Sequence, residues 1–568
     1  MSTTGCVKGD VKRWHTQYDD GVPRTIDFEE VPLDAFVQRA ARKWGDRPAL
    51  VFFNCQFSYA ELSDKVDRFA AALQDLGVRK GSRVAVQLPN LPQTVIAFYG
   101  ALRAGAEVVM TNPLYTLREI EHQWSDSDCD IAVVADFIFD EVIKPNRSML
   151  RPSKYVVAHV SDYLRFPLNL IARSRLKKAK RYASVQTDEG VVEFKALVEN
   201  SMPRPRPVSV GFDDVAVLQY TGGTTGLSRG AILTHRNLAI NAQQIHAWFP
   251  KMVAGRESIL NCLPIFHVFG LSVGMNWSVW SGAQMVVVSN PRDVSSLVKA
   301  ITKHRVTLFP GVPGLFNAIN NYPDIEKLDL TSIKSCFSGS APLPRDVQER
   351  FESLTKSTII EGFGLSETSP VTHANPVHGT RKTGSIGLPV SNTDAKIVDA
   401  ADSTVEIGVG EEGELLIRGP QVMSGYLNRP GESEDVLRDG WMHTGDLATM
   451  DEEGFFRICG RKKDMINCSG LKVFPDEVDD VLMSHEAILE AATIGVPDDK
   501  RGETVKSFVV LQPGASLTAS EVETFAREHL AAFKIPRQVE FLDELPKSSV
   551  MKILRRELRE MERKKREG

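Results

Sequence analysis

The residues of this sequence best suited to chemistry lie in one glycine-rich stretch, Tyr220-Thr-Gly-Gly-Thr-Thr-Gly-Leu-Ser-Arg-Gly230, directly after the apolar run Val215–Gln219. Four glycines in eleven residues allow main-chain amides to approach a ligand closely. Thr221, Thr224 and Thr225 add hydroxyl groups and Arg229 adds a cation, so the stretch has the donors that wrap phosphate oxygens. Composition alone leaves a flexible surface turn as the alternative. The pattern GxxxxGK[ST] is absent, which disfavours a P-loop kinase or GTPase.

Alternating strand and helix patterns must position this stretch. Apolar runs predict short strands in the first third of the chain, and helical spacing follows the Ser58–Glu61 capping box. The predicted strands are Ala49–Phe53, Arg83–Leu88, Glu107–Met110 and Ile131–Ala135, with a helix at Thr94–Leu102. Such alternation predicts a mostly parallel sheet with helices on both faces. Similar alternation from Val215 to about Ile360 predicts a second doubly wound lobe.

The pattern changes after Gly384. Short strands at Ala395–Val398 and Glu414–Arg418, separated by Gly and Pro turns, predict a small β-barrel-like subdomain. From about Arg461 a separate set begins, in which Pro475 opens one helix, Thr518 with Glu521 caps another, and strands cover Ala491–Val496 and Ser507–Leu511. The predicted fold class is therefore α/β, with two doubly wound lobes, the small subdomain and a small α+β C-terminal domain.

The bulk composition limits the function classes. The 568 residues are 42% hydrophobic and 25% charged, which predicts several globular domains. A net charge of −5 gives no indication of nucleic-acid binding, and the seven cysteines have no metal-ligand spacing. The polar start, Met1 to Trp14, is not a secretory signal, and no run approaches the roughly 18–20 apolar residues of a membrane span. We expect a cytoplasmic protein.

Six ordered motifs resemble those of the adenylate-forming superfamily, which comprises acyl-CoA synthetases, peptide-synthetase adenylation domains and beetle luciferases. The glycine-rich stretch with Thr234-His235 resembles its phosphate loop. Five later segments resemble its adenine-side loop, aromatic-and-acid loop, ribose-binding loop, domain hinge and C-terminal lysine loop: Ser338–Leu343, Glu361–Thr368, Gly440–Asp446, Gly460–Asp464 with Ser469-Gly470, and Pro546–Arg555. The likeness extends over about residues 30 to 560.

The resemblance implies that loops from most of these motifs contact ATP and AMP. The implied contacts are Thr221, Gly222, Gly223, Thr224, Thr225, Gly226, Arg229, Gly339, Ser340, Ala341, Glu361, Gly362, Phe363, Gly364, Thr368, Asp446 and Arg461. Phe363 would stack on adenine, and Asp446 would accept the two ribose hydroxyls. Taken singly, such an aromatic is more often a core residue, and such charges are more often surface ion pairs.

The resemblance also implies which residues would offset the negative charge of the phosphates and the carboxylate. Thr224 and Glu367 would position Mg²⁺, a hard cation that favours oxygen ligands. Lys552 would bridge the carboxylate and the α-phosphate during adenylation, a role that suits a point charge on a flexible stem. This sequence departs from the family pattern at two positions. Met551 precedes that lysine, where the family commonly has Gly, and Arg229 stands where the family commonly has Lys.

The implied domain division is 1–460, with the ATP and acyl pocket, and 461–568, a mobile C-terminal domain that rotates about a hinge at Lys463. One orientation would bring Lys552 to ATP. The other would bring Ser469, Gly470 and Lys472 to the side where coenzyme A enters.

The segment Leu263–Val273 bears on the substrate. Peptide-synthetase domains carry Asp after the Phe of this segment, to pair with an amino group, whereas this sequence has His267 among apolar neighbours. An ammonium group buried there would lack a partner, so an amino acid substrate is disfavoured. For His267 two interpretations stay open, a packed core histidine and a catalytic gate between the acyl pocket and the thiol tunnel.

Two segments, Trp14–Pro23 and Asp162–Leu170, resemble those of bacterial long-chain fatty acid–CoA ligases. The sequence therefore predicts a ligase for long- or medium-chain fatty acids that uses ATP, Mg²⁺ and coenzyme A. The alternatives are an aryl-acid CoA ligase, an acyl-AMP ligase that loads a carrier protein, and a binding protein that keeps the fold without the chemistry.

A basic segment follows, with Leu168, Ile171, Ala172, Leu176 and Ala179 on one helical face and six Arg or Lys residues between Arg173 and Arg181. Such a helix can lie on an anionic membrane or pack on its own domain. Two associations are therefore left open for test, a peripheral contact with the inner membrane surface and a homodimer.

Overall fold

Short buried strands alternate with helices along most of the chain, and in the computed structural model the described strands form four sheets. The structure describes residues 11–221, 228–468, 471–498, 502–548 and 553–567. The chain folds as two compact units, Met1–Asp394 with Arg418–Leu437 and Ala395–Ile417 with Arg438–Gly568.

The larger unit contains the first sixteen strands and the first thirteen α-helices of the described chain, besides short 3-10 and π-helical segments. The strands are β1 Pro48–Phe52, β2 Cys55–Ser58, β3 Arg83–Gln87, β4 Glu107–Met110, β5 Ile131–Ala135, β6 Lys154–Ala158, β7 Val191–Glu193, β8 Val215–Thr221, β9 Arg229–Thr234, β10 Ser258–Asn261, β11 Gln284–Val287, β12 Leu308–Gly311, β13 Ser335–Ser338, β14 Thr358–Gly364, β15 Val371–Ala374 and β16 Leu388–Pro389. The helices are α1 Phe36–Trp44, α2 Tyr59–Asp75, α3 Pro92–Arg103, α4 Leu117–Asp126, α5 Asp136–Ile138, α6 Leu168–Lys178, α7 Phe194–Asn200, α8 His235–Trp248, α9 Trp277–Ser281, α10 Val294–His304, α11 Pro313–Asn320, α12 Arg345–Thr355 and α13 Pro430–Val436.

These strands form two mostly parallel sheets. One has seven strands in the order β7-β6-β5-β3-β4-β8-β9, and only the edge strand β9 runs antiparallel to its neighbour within the described pairs. The other has nine strands in the order β16-β15-β14-β13-β12-β10-β11-β1-β2, parallel from β14 to β1 and antiparallel at both ends. Parallel strands are buried because helices cover both faces of their sheet. All five residues of β5, for example, are buried.

The smaller unit contains an antiparallel sheet and a separate α+β sheet. Its elements are β17 Asp394–Val398, β18 Gly413–Arg418, β19 Leu437–Arg438, β20 Trp441–Met450, β21 Phe456–Arg461, β22 Ile466–Cys468, β23 Leu471–Val473, β24 Ile488–Asp498, β25 Gly502–Leu511, β26 Gln538–Phe541, α14 Pro475–Met483, α15 Ala519–His529 and α16 Arg555–Glu567. Alternate residues of β24 and β25 face two cores, one that includes Ala491 and Val509 and one that includes Ile494, Phe508 and Leu558 of α16.

The predicted fold class is confirmed, as an α/β protein with mixed parallel sheets and a separate small C-terminal domain. The local signals are confirmed as well. Ser58 and Glu61 form the reciprocal capping box of α2, Thr518 and Glu521 form that of α15, and Pro475 is the first residue of α14.

The protein covers only part of the predicted apolar face of the basic helix α6. Leu168 and Ala172 are partly buried and pack against the core of the larger unit. Ile171 and Ala179, which belong to the same predicted face, are exposed. Periodicity identifies a face, whereas the surface that covers it depends on distant parts of the chain. Across the described ranges, no helix has both the length and the apolar content needed to cross a membrane.

Candidate active site

The two ends of the glycine-rich stretch lie on the paired strands β8 and β9. Thr221 is the last residue of β8 and lies opposite Arg229, the first residue of β9. Between them, Gly222, Gly223, Thr224, Thr225 and Gly226 lie outside the described residues. The hairpin explains why this stretch follows a buried strand: the sheet holds both ends of the loop.

Helix α4 holds the two ends of this hairpin from one side. His122 Nε2 lies 2.9 Å from the Ser228 carbonyl oxygen, at the start of the returning strand. The Tyr220 hydroxyl donates to Asp126 Oδ2 at 2.7 Å, next to the end of β8. Burial and the Asp126 charge raise the pKa of Tyr220 above its ordinary value, so this hydroxyl stays protonated and donates.

Glu367 lies in a cluster that joins three segments of the larger unit. The Tyr426 hydroxyl donates to Glu367 Oε1 at 2.7 Å. The Arg229 guanidinium lies 4.4 Å from the centre of the Tyr426 ring, and its Nη1 is 2.5 Å from Glu432 Oε2 on α13. Burial, followed by the Glu367 charge, raises the pKa of Tyr426 above its ordinary value. The predicted metal-binding carboxylate and the predicted phosphate-loop cation therefore share one aromatic neighbour.

The predicted adenine-side loop is attached to β14 through Glu361. Its Oε1 accepts the Leu343 N–H and its Oε2 accepts the Gly384 N–H, each at 3.0 Å. Gly339, Ser340 and Ala341 lie directly after β13, where Ser338 pairs with Glu361. In this structure the Glu361 carboxylate holds the loop in place.

Phe363 lies near the end of β14, and Glu367 lies in the turn that follows this strand. A Cβ at Gly364 would lie 2.0 Å from the Pro370 carbonyl oxygen, and one at Gly362 would lie 2.2 Å from the Phe337 ring, so both positions require glycine. Thr368 is buried, and its hydroxyl bonds within the turn to Leu365 and Pro370. Thr368 thus shapes the turn that carries Glu367.

His267 belongs to the segment that follows β10. The neighbouring Phe266 carbonyl accepts a hydrogen bond from the Gln219 side chain of β8 at 3.0 Å. His267 Nδ1 accepts the Phe269 N–H at 3.2 Å, and the Phe269 ring packs against Gly339. The His267 segment therefore contacts both the phosphate-loop strand and the adenine-side loop.

The smaller unit carries the remaining predicted nucleotide contacts. Asp446 and Arg461 are cross-strand partners on β20 and β21, and their side chains form an ion pair at 2.8 Å. Glu414 of β18 supports the loop before Asp446, because its carboxylate accepts the Gly445 N–H at 3.3 Å and pairs with Lys462 at 3.0 Å. Asp446 is almost completely buried within this frame.

The predicted hinge residue Lys463 is exposed in the turn after β21. Its neighbour Asp464 pairs with Arg559 of α16 at 2.5 Å. Of the residues predicted to lie near coenzyme A, Ser469 and Gly470 fall outside the described residues; Lys472 lies on β23, and its side chain is not among those described.

Lys552 also lies outside the described residues, whereas both flanks of its loop are described. Lys547 and Ile553 form a β-bridge that closes the base of the loop. Arg555, three residues after the lysine, forms ion pairs with Asp476 and Asp479 of α14. The loop is therefore attached at both ends to the smaller unit.

Two family models match the sequence, "AMP-binding enzyme" over residues 37–427 and "AMP-binding enzyme C-terminal domain" over residues 477–552. The chain belongs to the family of AMP-binding enzymes.

Full-length relatives and solved structures refine this placement within the AMP-binding enzymes. A long-chain-fatty-acid–CoA ligase of Bacillus subtilis (strain 168) is 42% identical over 97% of this chain and 98% of its own length. One of Escherichia coli O157:H7 is 41% identical over 98% and 99%. The crystal structure of the anthranilate CoA ligase AuaEII in complex with anthranoyl-AMP is 26% identical, with a TM-score of 0.82, over 94% of this chain and 97% of that one.

Sequence reasoning missed several residues that support the site of this AMP-binding enzyme: Tyr426, Glu432, His122, Asp126 and Glu414. The two that surround Arg229 and Glu367 are distant in sequence, because Tyr426 is 59 residues from Glu367 and Glu432 is 203 residues from Arg229. Residue spacing within a short segment of sequence does not predict such long-range contacts.

Proposed function

We propose that this AMP-binding enzyme is an ATP-dependent fatty acid–CoA ligase. A fatty carboxylate oxygen attacks the α-phosphorus of ATP, and the bond to pyrophosphate breaks. The thiol of coenzyme A then attacks the acyl carbon, loses its proton, and AMP leaves. Identity above 40% with two long-chain-fatty-acid–CoA ligases, over nearly the whole of each chain, is the observation that carries the proposal.

The first half-reaction brings two anions together, so the site must offset their repulsion with donors and cations. The hairpin loop from Thr221 to Arg229 supplies amides and hydroxyls, and Lys552 supplies the mobile cation. Phe363 would stack on adenine, and Asp446 with Arg461 would bind the ribose.

The donor set near Glu367 fits Mg²⁺ bound together with nucleotide. Among the described residues, no group of three or more His, Cys, Asp or Glu side chains could hold a metal. Mg²⁺ typically takes one or two carboxylates and fills its other positions with waters and substrate phosphates, so a single carboxylate held by Tyr426 suits it. Glu367, with Thr224, would hold the ion, which when bound supplies positive charge to the phosphates.

The second half-reaction is proposed to use a rotation of 461–568 relative to 1–460 about Lys463. That motion would exchange the Lys552 loop for the segment with Ser469, Gly470 and Lys472. The attachment of the Lys552 loop to α14 through Arg555 supports movement of the loop together with its domain.

The residues around His267 support an apolar acid. Val268, Phe269 and Leu271 are buried beside it. An aryl acid remains the second candidate, because the solved structure reported above is of an anthranilate CoA ligase.

A panel assay tests the substrate. Purified enzyme is given ATP, Mg²⁺, coenzyme A and one acid at a time, and both pyrophosphate and thioester are measured. We expect saturated long- and medium-chain acids to give both products. Pyrophosphate with aryl acids alone would favour the second candidate, and adenylate without thioester would favour transfer to a carrier protein.

Two associations belong to the same proposal. A peripheral contact with a membrane would give the enzyme access to fatty acids, which partition into bilayers. A homodimer stays a prediction, and light scattering of the purified enzyme measures it.

A further inference from the structure

An exposed apolar tip lies on the larger unit, and none of its residues is among those assigned to the candidate active site. Phe53 is 53% exposed at the turn between β1 and β2, and Phe166 is 76% exposed just before α6. Their neighbours bind each other: the Asn54 side chain donates to the Arg165 carbonyl, and the Arg165 N–H donates to Asn54 Oδ1, both at 3.0 Å. The two phenylalanines therefore belong to the same part of the surface.

The first turns of α6 extend this apolar tip. Leu170 is 54% exposed and Ile171 is 44% exposed. Leu168 and Ala172 pack against the core, which fixes the helix to the protein. We define the apolar tip as Phe53, Phe166, Leu170 and Ile171.

Three of the four tip residues, Phe166, Leu170 and Ile171, lie within a strongly basic stretch of the sequence. Residues 163–187 contain seven Arg or Lys residues and no Asp or Glu, although the whole chain has a net charge of −5, so the remaining residues sum to −12. The seven, called here the basic collar, are all exposed: Arg165, Arg173, Arg175, Lys177, Lys178, Lys180 and Arg181. Two of them, Arg173 and Lys177, lie over the Tyr182 ring at 4.8 and 5.2 Å, which orders this side of the helix.

We propose that the apolar tip and the basic collar form a docking surface for a bilayer rich in anionic lipid. Cations near such a surface are attracted to its headgroups, and exposed Phe, Leu and Ile side chains gain by insertion beneath them. Nucleic acid would pair with the cations of the basic collar but would leave the apolar tip exposed to water. The positive charge and the exposed apolar side chains together therefore favour a lipid surface over nucleic acid. The purpose of the contact rests on the proposed function, because fatty acid would be taken from the bilayer.

Vesicle binding tests this surface. The full-length enzyme is sedimented with vesicles of phosphatidylcholine and phosphatidylglycerol, without added fatty acid, and with vesicles of phosphatidylcholine alone. We expect binding to the anionic vesicles and little to the neutral ones. The variant R175Q/K178Q/R181Q removes exposed cations without a described side-chain contact, and we expect its partition coefficient to fall on the order of 100-fold.

A second variant removes the apolar tip. Phe53 has φ of +52°, a conformation that asparagine adopts more easily, so F53N/F166S should fold normally. We expect its partition coefficient to fall by at least about tenfold. The control variants K251Q/K299Q/K564Q and M202S/V253S make matched changes at exposed positions elsewhere, and they should bind as the unmodified enzyme does.

Three results would overturn the proposal: no binding to anionic vesicles, equal losses in the test and control variants, or binding to nucleic acid in place of lipid. Thioester formation from a dissolved medium-chain acid, without vesicles, is measured for every variant and should not change. If the enzyme forms thioester but does not bind vesicles, only the proposed docking surface is contradicted. If the enzyme binds vesicles but forms no thioester from any acid, the proposed function is contradicted.

Discussion

Glu367 has one carboxylate oxygen fixed by a phenol, and this contact determines how the other oxygen is presented. The Tyr426 hydroxyl donates to Oε1 at 2.7 Å, and Arg229 and Glu432 hold the Tyr426 ring in place. A hydrogen bond to a charged group is stronger than one between neutral groups. The departure from the usual Lys to Arg229 is therefore accommodated by this structure, since the guanidinium lies over the ring and pairs with Glu432.

Replacement of Tyr426 with Phe removes only this hydrogen bond. We expect adenylate formation to slow about tenfold and to need more Mg²⁺, because the carboxylate loses the partner that orients it. ATP–pyrophosphate exchange over a range of Mg²⁺ concentrations measures both effects. Tyr322→Phe is the matched control, since that hydroxyl makes only a 3.4 Å contact with Ser295. An unchanged Mg²⁺ dependence in the Tyr426 variant would refute the role of this contact.

Helices and strands were predictable where local sequence determines them. The strands Glu107–Met110 and Ile131–Ala135 were placed at their observed bounds, because short apolar runs are typical of buried parallel strands. Strand β9 was not predicted, because its first residues, Arg229 and Gly230, belong to the glycine-rich stretch and its pairing with β8 is a tertiary feature. The apolar face of α6 was identified, but local periodicity does not show which of its residues the protein covers.

Helix α4 holds the two ends of the predicted phosphate loop through His122 and Asp126. Tyr220→Phe breaks its bond to Asp126 while the ring stays packed. We expect the KM for ATP to rise about fivefold with little change in kcat, because a freer loop costs binding energy. Steady-state kinetics with varied ATP measure this. Tyr155→Phe is the control, since the buried Tyr155 hydroxyl has no hydrogen-bond partner among the described residues; a similar KM increase in both variants would refute the role of α4.

At the scale of the whole molecule, the larger unit depends on histidines that are buried without charge. Burial lowers the pKa of His235 to about 4 and that of His373 to about 3. His235 accepts the Leu33 N–H at its Nδ1, which explains why the Thr234-His235 motif follows β9: Thr234 caps α8 and His235 attaches the N-terminal segment.

This burial predicts an acid-sensitive fold. Below pH 6.5 or so the unfolded chain binds protons at these histidines and the folded chain does not, so stability is full above that pH and falls toward pH 4. Each histidine contributes up to about 1.4 kcal/mol per pH unit. Thermal unfolding between about pH 7 and pH 5 measures the decline. His235→Gln should show a weaker decline than the unmodified enzyme, and an equal decline would contradict this account.

The family and the fold class could be predicted from ordered motifs, because each motif is a short local segment. The residues that orient those motifs could not, because Tyr426, Glu432 and Glu414 act through contacts between segments that are distant in the chain. The residues predicted to carry the chemistry are also far apart in the chain, since the Glu367 cluster belongs to the larger unit and the Lys552 segment to the smaller one.

The central claim is that a mobile lysine and a fixed phosphate site together form the acyl-adenylate. The most direct test measures the two half-reactions separately in the variant Lys552→Ala. Adenylate formation is followed by pyrophosphate release, and thioester formation is followed from preformed acyl-AMP and coenzyme A, with Lys564→Ala as the matched control. We predict that adenylate formation falls about 100-fold or more while thioester formation from acyl-AMP is retained. Equal loss of both half-reactions, or of neither, would contradict the account.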